Sequence, residues 1–309
     1  MSNYDIIPVK PNTPEWHKIR QQGLGASDVA AILGMSKWKT PYQIWMQKTG
    51  QEGQQEQTQV QLRGLLLEDG IMRWYEIEQE TSVNRPQAIY RSKQYPFMQY
   101  TPDGICEKDN LIINVQVKST RIREGWGDFS DEVPDEVNIQ SQYEMMISGI
   151  EVTHIPVLLP SLEFKLYCIE ADKEIQGYIK ESCEEFWMNN VQKGIEPELI
   201  TNEDAKSRYP FSKASIIHGS QVVIEDCQKL KTLKEEIKTL EKEKEEAEAR
   251  IKSFMGENDT LLFQEKVLAT WKSTKARESF DGKLLQQEHP ELYKNYVKTG
   301  NSYRTFLLK

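Results

Sequence analysis

Along residues 111–118, Leu-Ile-Ile-Asn-Val-Gln-Val-Lys, apolar and polar positions alternate. Ile113, Val115 and Val117 fall on one side, and Asn114, Gln116 and Lys118 on the other, the pattern of a half-buried strand. Just before it, Pro102-Asp103-Gly104 has the composition of a tight turn: proline presets φ, aspartate bonds its own backbone, and glycine permits φ > 0. Residues 87–91 and 96–101 read as a β-hairpin leading into that turn. Residues 152–159 and 162–169 read as a strand pair around Pro160-Ser161. His154 in the first of them suits a satisfied structural histidine.

Helical patterning surrounds these strands. Residues 15–20 follow a proline-rich lead, and residues 28–33 form a short apolar helix that Ser27 would cap and Gly34 would close. Thr40 and Pro41 open a helix over 42–48, with Thr as cap and Pro in the first turn; Gly50 ends it. Residues 51–59 are a polar loop. A long helix spans 59–80, with Glu68 on the face of Ile71, Met72 and Tyr75. A carboxylate on that stripe must be paired, bind a metal, or snorkel to the helix edge. Residues 121–135 are irregular, either a substrate loop or a plain surface loop. Residues 135–149 are helical, with Gln140 and Glu144 on one face and Gln142 and Met146 on another; glutamines there are expected to be solvated. An amphipathic helix covers 172–192, and a proline-containing segment, 197–211, ends the main domain.

The tail differs. Leu230, Leu233, Ile237, Leu240, Lys244, Ala247, Ile251 and Phe254 keep 3-4 spacing, an a/d heptad seam with Lys244 at an a position. Residues 260–272 read as strand, 280–297 as helix and 303–308 as a last strand. A polar heptad helix needs a partner: residues 280–297, a second copy, or another protein. An intramolecular pairing or a docking surface is favoured over a homodimeric zipper, because a buried lysine is costly. The whole is α/β: a main domain over 1–215, a heptad helix over 225–256, and a small α/β segment over 257–309.

Composition adds bounds. The chain has 309 residues, 38% hydrophobic and 28% charged, with net charge −9. No apolar run approaches the ~20 residues of a membrane helix, and the first residues resemble no signal peptide. Cys106, Cys168, Cys183 and Cys227 are scattered, as reduced thiols would be, which suits a cytoplasmic protein. The acidic balance argues against general nucleic-acid coating but leaves room for a local cationic groove.

The chemistry lies in an acid on a turn, a short gap, and then a strand ending in x-x-Lys. Asp103 and Lys118 stand where a metal and a scissile phosphate could meet. Arg20 and Ser27 could form an anion site at a helix start, although Ser27 also reads as a simple cap. Six segments then occur in order: Trp16-His-Lys-Ile-Arg20, Gly25-Ala-Ser27, Leu67-Glu68, Thr101-Pro-Asp103-Gly104, Gln116-Val-Lys118 and Gln140-Ser-Gln142-Tyr-Glu-Met145. Together they resemble the phage lambda exonuclease family, the YqaJ-type viral recombinase nucleases of the PD-(D/E)xK superfamily.

That resemblance implies a restriction-endonuclease-like central mixed sheet flanked by helices, with the heptad tail as an appendage. It implies a Mg²⁺-dependent exonuclease, with Mn²⁺ as substitute, that degrades duplex DNA 5′ to 3′ and leaves 3′ single strands for recombination. By position, Asp103, residue 116, the Val117 carbonyl and Glu68 would hold the metal. Lys118 would act on the attacking water, and Gln140 and Gln142 would position water and DNA. Arg20 and Ser27 would grip the 5′-phosphate. The resemblance also implies double-stranded DNA ends and a single-strand annealing protein as partners, a trimer, and a phage or prophage origin in a bacterial cytoplasm.

One position departs from the family: Gln116 stands where a Glu or Asp is expected. An amide offers a neutral oxygen and no charge. Gln116 reads as an engineered exchange that traps a DNA complex, as a natural variant that still cuts, or as the mark of a non-catalytic DNA-end binder. A coiled-coil assembly protein on a retired nuclease scaffold, or a single-strand or structure-specific nuclease of the superfamily, are the remaining alternatives.

Overall fold

The computed structural model describes residues 2–51, 58–276, 278–298, 300 and 303–308. The polar loop expected over 51–59 falls mostly outside them. The chain forms two compact units, Met1–Arg208 and Tyr209–Lys309.

The first unit opens with β1 (Tyr4–Pro8), α1 (Pro14–Gln21), α2 (Ala26–Ile32), α3 (Pro41–Lys48) and α4 (Gln59–Glu78). Strands β2 (Ala88–Ser92), β3 (Gln99–Tyr100), β4 (Gly104–Lys108), β5 (Leu111–Val115) and β6 (Lys118–Ser119) follow. Then come α5 (Asp135–Ser148), β7 (Val152–Leu158), β8 (Phe164–Glu170), α6 (Lys173–Glu185) and α7 (Asn202–Arg208), with a π-helical turn at Phe186–Gln192 after α6. Local chemistry explains the helix starts. Thr13, Thr40 and Thr58 accept N–H bonds at the heads of α1, α3 and α4, and Gly149 closes α5 at φ 75°.

The central sheet is mixed, as expected. β4 pairs antiparallel with β5, β5 and β6 run parallel to β7, and β8 returns antiparallel to β7. On one face Met72 and Tyr75 of α4 pack on Cys106, Ile113 and Val115. On the other, Val137 and Met145 of α5 pack on Ile155, Val157, Tyr167 and Ile169. Each such fully buried side chain contributes roughly 1.5–3 kcal/mol. His154 donates to or accepts from Tyr75 Oη at 2.8 Å, a structural role. A second sheet, β1-β2-β3, carries the expected hairpin, with Tyr90 opposite Tyr100.

Three local expectations change. The strand over 111–118 breaks at Gln116-Val117, although its register against β7 holds, with Ile113 opposite Val152 and Lys118 opposite Val157. Gly104 adopts no positive φ; it is the first residue of β4, and a Cβ there would sit 2.3 Å from Val83 Cγ1. Close packing, not turn geometry, requires glycine. Ser27 is not the cap of its helix: α2 starts at Ala26, and Asp28 reaches back to the Gly25 N–H at 2.9 Å.

The second unit holds α8 (Gln221–Met255), the hairpin β9 (Thr260–Phe263) and β10 (Lys266–Thr270), and α9 (Gly282–Glu288) and α10 (Pro290–Tyr296). α8 begins earlier than the heptads, because Ser220 caps it. Its seam residues Leu233, Ile237, Leu240, Ile251 and Phe254 are exposed. The expected cover by residues 280–297 is therefore not made. That segment is broken at Pro290, which lacks an N–H and holds His289 out of helical geometry. Residues 303–308 form no strand, since they join neither β9 nor β10.

Candidate active site

A cleft of about 690 Å³ opens in the first unit, lined among others by Arg20, Ser27, Glu68, Arg85, Asp103, Gln140 and Glu144. Its acidic end is built at the break in the central strand. β4 begins at Gly104, opposite Val115. Beyond that pair the Asp103 carboxylate replaces the missing strand, and Val117 N–H donates to Asp103 Oδ2 at 2.9 Å. Lys118 follows directly, its Nζ donating to Gln140 Oε1 at 2.8 Å.

The polar positions of β5 are not solvent-facing. Asn114 and Gln116 are buried against α5. Gln116 Nε2 donates to Glu144 Oε1 at 3.0 Å, and its own Oε1 faces the Ser141 hydroxyl at 3.2 Å. Gln140 Nε2 also donates to Glu144 Oε1, at 3.0 Å, and Asn114 Nδ2 donates to Glu144 Oε2 at 2.9 Å. One buried carboxylate thus collects three amides. Among the described residues it has no salt bridge.

These acids strain against one another. Burial and then the Asp103 charge push Glu144 up to about 7, despite Asn114, Lys118 and Gln140. Burial, Asp103 and Asp69 push Glu68 up to about 7, with Arg85 and Lys118 offsetting. Burial raises Asp103 itself, against Lys118 and the Val117 N–H.

The other end is cationic. Arg20 stacks on the Trp16 ring, 4.6 Å from its centroid, and donates to Ser27 Oγ at 3.0 Å. A Cβ at Gly25 would lie 2.6 Å from an Arg20 nitrogen, so glycine there leaves the guanidinium in this place. Trp16 Nε1 donates to Thr101 Oγ1 at 3.0 Å, tying α1 to the Asp103 segment. Beneath, Asp28 and Lys48 form a buried ion pair at 2.7 Å.

Residues 15–151 match the model of the YqaJ-like viral recombinase domain. Across 303 residues the chain is 30% identical to the uncharacterized protein YqaJ of Bacillus subtilis (strain 168), covering 96% of this chain and 93% of the relative. The chain belongs to the YqaJ family. Among solved structures it is similar to LHK-Exo in complex with dAMP (TM-score 0.49, 19% identity, 63% of this chain and 97% of that one). It is also similar to the alkaline exonuclease LHK-Exo from Laribacter hongkongensis (TM-score 0.46, 20%, 60% and 95%). A phage-related exonuclease from Haemophilus somnus 129PT gives a TM-score of 0.44 at 14% identity, over 56% of this chain and 96% of that one.

In this YqaJ-family chain the cleft gathers Asp103, Glu68, Gln140, Arg20 and Ser27 as the sequence suggested, and Lys118 joins it through its bond to Gln140. Gln116, Val117 and Gln142 do not line it. Gln116 is buried, does not line the cleft, and turns its carbonyl toward Ser141, away from any ligand role. Gln142 is buried on the far side of α5, where it donates to the Glu170 carbonyl at 2.8 Å and accepts from Asp172 N–H at 2.8 Å. It joins α5 to the start of α6 and touches no cleft. Sequence reasoning passed over Glu144, Asn114 and Arg85. The four-residue spacing of Gln140 and Glu144 was the available signal.

Among the described residues no three His, Cys, Asp or Glu groups cluster as a metal cage. Mg²⁺ needs no such cage: it takes hard oxygens and holds one or two carboxylates, with waters and substrate phosphates completing the shell. Asp103 and Glu68 offer such oxygens in the cleft. Burial raises Asp103, and the Asp103 charge adds to burial in raising Glu68 and Glu144; a cation would relieve this, so the residues present fit the ion.

Proposed function

We propose that this protein is a divalent-cation-dependent exonuclease that enters duplex DNA at an end, degrades the strand 5′ to 3′ and leaves a 3′ single strand for recombination. The observation that carries this reading is one cleft that holds the Asp103 and Glu68 carboxylates, with Lys118 joined to it through Gln140, together with a stacked arginine and a hydroxyl. Asp103 and Glu68 would hold the metal, Mg²⁺ or Mn²⁺. When bound, the ion polarises the phosphoryl oxygen and lowers the pKa of a coordinated water.

The chain's own groups do the rest. Lys118, fixed by Gln140, places a cation where charge builds on the phosphate, a contribution of order 10²-fold in rate. Gln140 is itself held by Glu144 and orients the lysine. Arg20, flattened on Trp16, presents its guanidinium beside Ser27 and suits a terminal 5′-phosphate through charge-assisted bonds. The placement of that cationic end beyond Asp103 supports a polarity that starts at a 5′ end. A homo-trimer and an annealing-protein partner are carried by the resemblance. The contact of Gln116 with Glu144 supports the reading in which the amide belongs to a working centre rather than an impaired one.

The test uses linear duplex labelled at either 5′ or 3′ ends, incubated with Mg²⁺, Mn²⁺ or EDTA. Release of 5′ label first, only with metal, is the expected result. Release of 3′ label first, or nicking of closed circles at the same rate, would overturn it.

A further inference from the structure

The centre lacks a carboxylate at position 116, and it has gained a buried one opposite. Glu144 is 4% exposed, lies on α5 one turn beyond Gln140, and lines the same cleft as Asp103 and Glu68. From the strand side it meets Asn114 at 2.9 Å and Gln116 at 3.0 Å. Burying an anion without a cation is costly, and three amide dipoles reduce that cost without neutralising the charge. Oε1 accepts two of the amide bonds and Oε2 accepts one, so of roughly four lone-pair directions one remains open on Oε2. The Oδ1 of the Asn114 amide that bonds Oε2 is itself buried without a partner.

We infer that Glu144 supplies anionic charge to the cation centre alongside Asp103, carried on helix α5 in place of a carboxylate on the strand at 116. This rests on the nuclease reading above and deepens it. The geometry explains the amide at 116. A carboxylate there would meet Glu144 at hydrogen-bond distance, and two anions so placed cannot both stay ionised. An amide donates instead and fixes Glu144's orientation. One charge serves the 116–144 contact, and in this chain it sits at 144.

Four forms decide the matter: the native chain, Glu144→Gln, Gln116→Glu, and the exchange variant Gln116→Glu/Glu144→Gln. Mn²⁺ binding is measured by calorimetry without DNA, Mg²⁺-dependent cleavage on linear duplex, and folding by melting in EDTA. Glu144→Gln should weaken Mn²⁺ binding by ~10–100-fold and cleavage in step. The exchange variant, which carries the same change at 144, should recover most of both. Gln116→Glu alone should bind Mn²⁺ no tighter than the native chain at neutral pH. Native-like Mn²⁺ binding by Glu144→Gln, or tighter binding by Gln116→Glu alone, overturns the inference while leaving the nuclease reading intact. An exchange variant that folds but binds as weakly as Glu144→Gln also overturns it. Failure of all four forms to bind Mn²⁺ or cleave removes the nuclease reading and this inference together.

Discussion

Two carboxylates in the first unit are almost equally buried and behave in opposite ways. Asp28 is 2% exposed and Glu144 4%. Burial pushes both up. At Asp28 the Lys48 and Arg20 charges, with bonds from Lys48 and the Gly25 N–H, outweigh burial and bring it down to about 2. At Glu144 amides and the unbonded Lys118 charge are outweighed by burial and by repulsion from Asp103, and the group is pushed up to about 7. Burial sets the size of the penalty, and the counter-charge decides whether it is overcome. Asp28 has its cation built in and serves as scaffold beneath the Arg20 end of the cleft. Glu144 has none built in, and it lines the cleft where one could arrive.

The sharpest break of this contrast is removal of each charge. Asp28→Asn leaves Lys48 buried without a counter-charge, its Nζ keeping only neutral partners such as the Arg20 carbonyl at 3.1 Å, and a loss of ~3–5 kcal/mol in unfolding free energy is expected. Burial already drives Lys48 downward, which marks how far it depends on Asp28. Glu144→Gln in EDTA at pH 8 should cost nothing or stabilise, because it removes an uncompensated anion. Urea melts of both variants check this; equal destabilisation would erase the distinction.

The next effect separates chemistry from stability. Lys118→Ala should lower turnover on linear duplex by ~10²-fold, about 2.7 kcal/mol at the transition state. It should shift the melting temperature little, since Lys118 is half-buried and bonds only Gln140. Single-turnover rates with excess enzyme make the comparison, and a rate unchanged within twofold removes Lys118 from the chemistry.

The smallest expected effect lies at the cationic end. Arg20→Ala should erase a preference of ~10-fold for 5′-phosphorylated over 5′-hydroxyl duplex, the worth of one charge-assisted contact. Rates on the two substrates, for native and variant, read it directly. An undiminished preference would move the phosphate site elsewhere.

Much of this was legible in the sequence, and the misses share a cause. Alternation over 111–118 gave the strand, its apolar face and the position of Lys118. The Thr40 cap and Gly50 gave the limits of α3 to within a residue or two. The polar side of the strand, however, was read as open, because periodicity separates two faces without saying what covers each. Here α5 covers Asn114 and Gln116, and Glu144 follows them into the interior. Gln142 failed for the same reason: α5 is buried on nearly every side, so its glutamines serve the core or the cleft instead of solvent. Ser27 lost its capping role because Asp28, one residue on, reaches the Gly25 N–H. That leaves the Ser27 hydroxyl for Arg20. The exposed seam of α8 shows the limit from the other side, since a heptad pattern asks for a partner and the chain's own helices do not supply it.

The most direct test of the contrast is the melting temperature of the native chain from pH 5 to 8, with and without Mn²⁺. The signs follow from the two groups. Asp28 lies below its ordinary 3.8, so its stabilisation is present above that value and lost only as pH falls toward about 2, outside the window. Glu144 and Glu68 lie above their ordinary 4.5, so the folded chain keeps protons that the unfolded chain has lost. Their contribution therefore falls as pH rises from about 4.5 through about 7. Mn²⁺ should compete with those protons and raise the melting temperature more at pH 8 than at pH 5. A Mn²⁺ effect that is absent, or equal at both ends of the range, would contradict an acidic centre waiting for its cation.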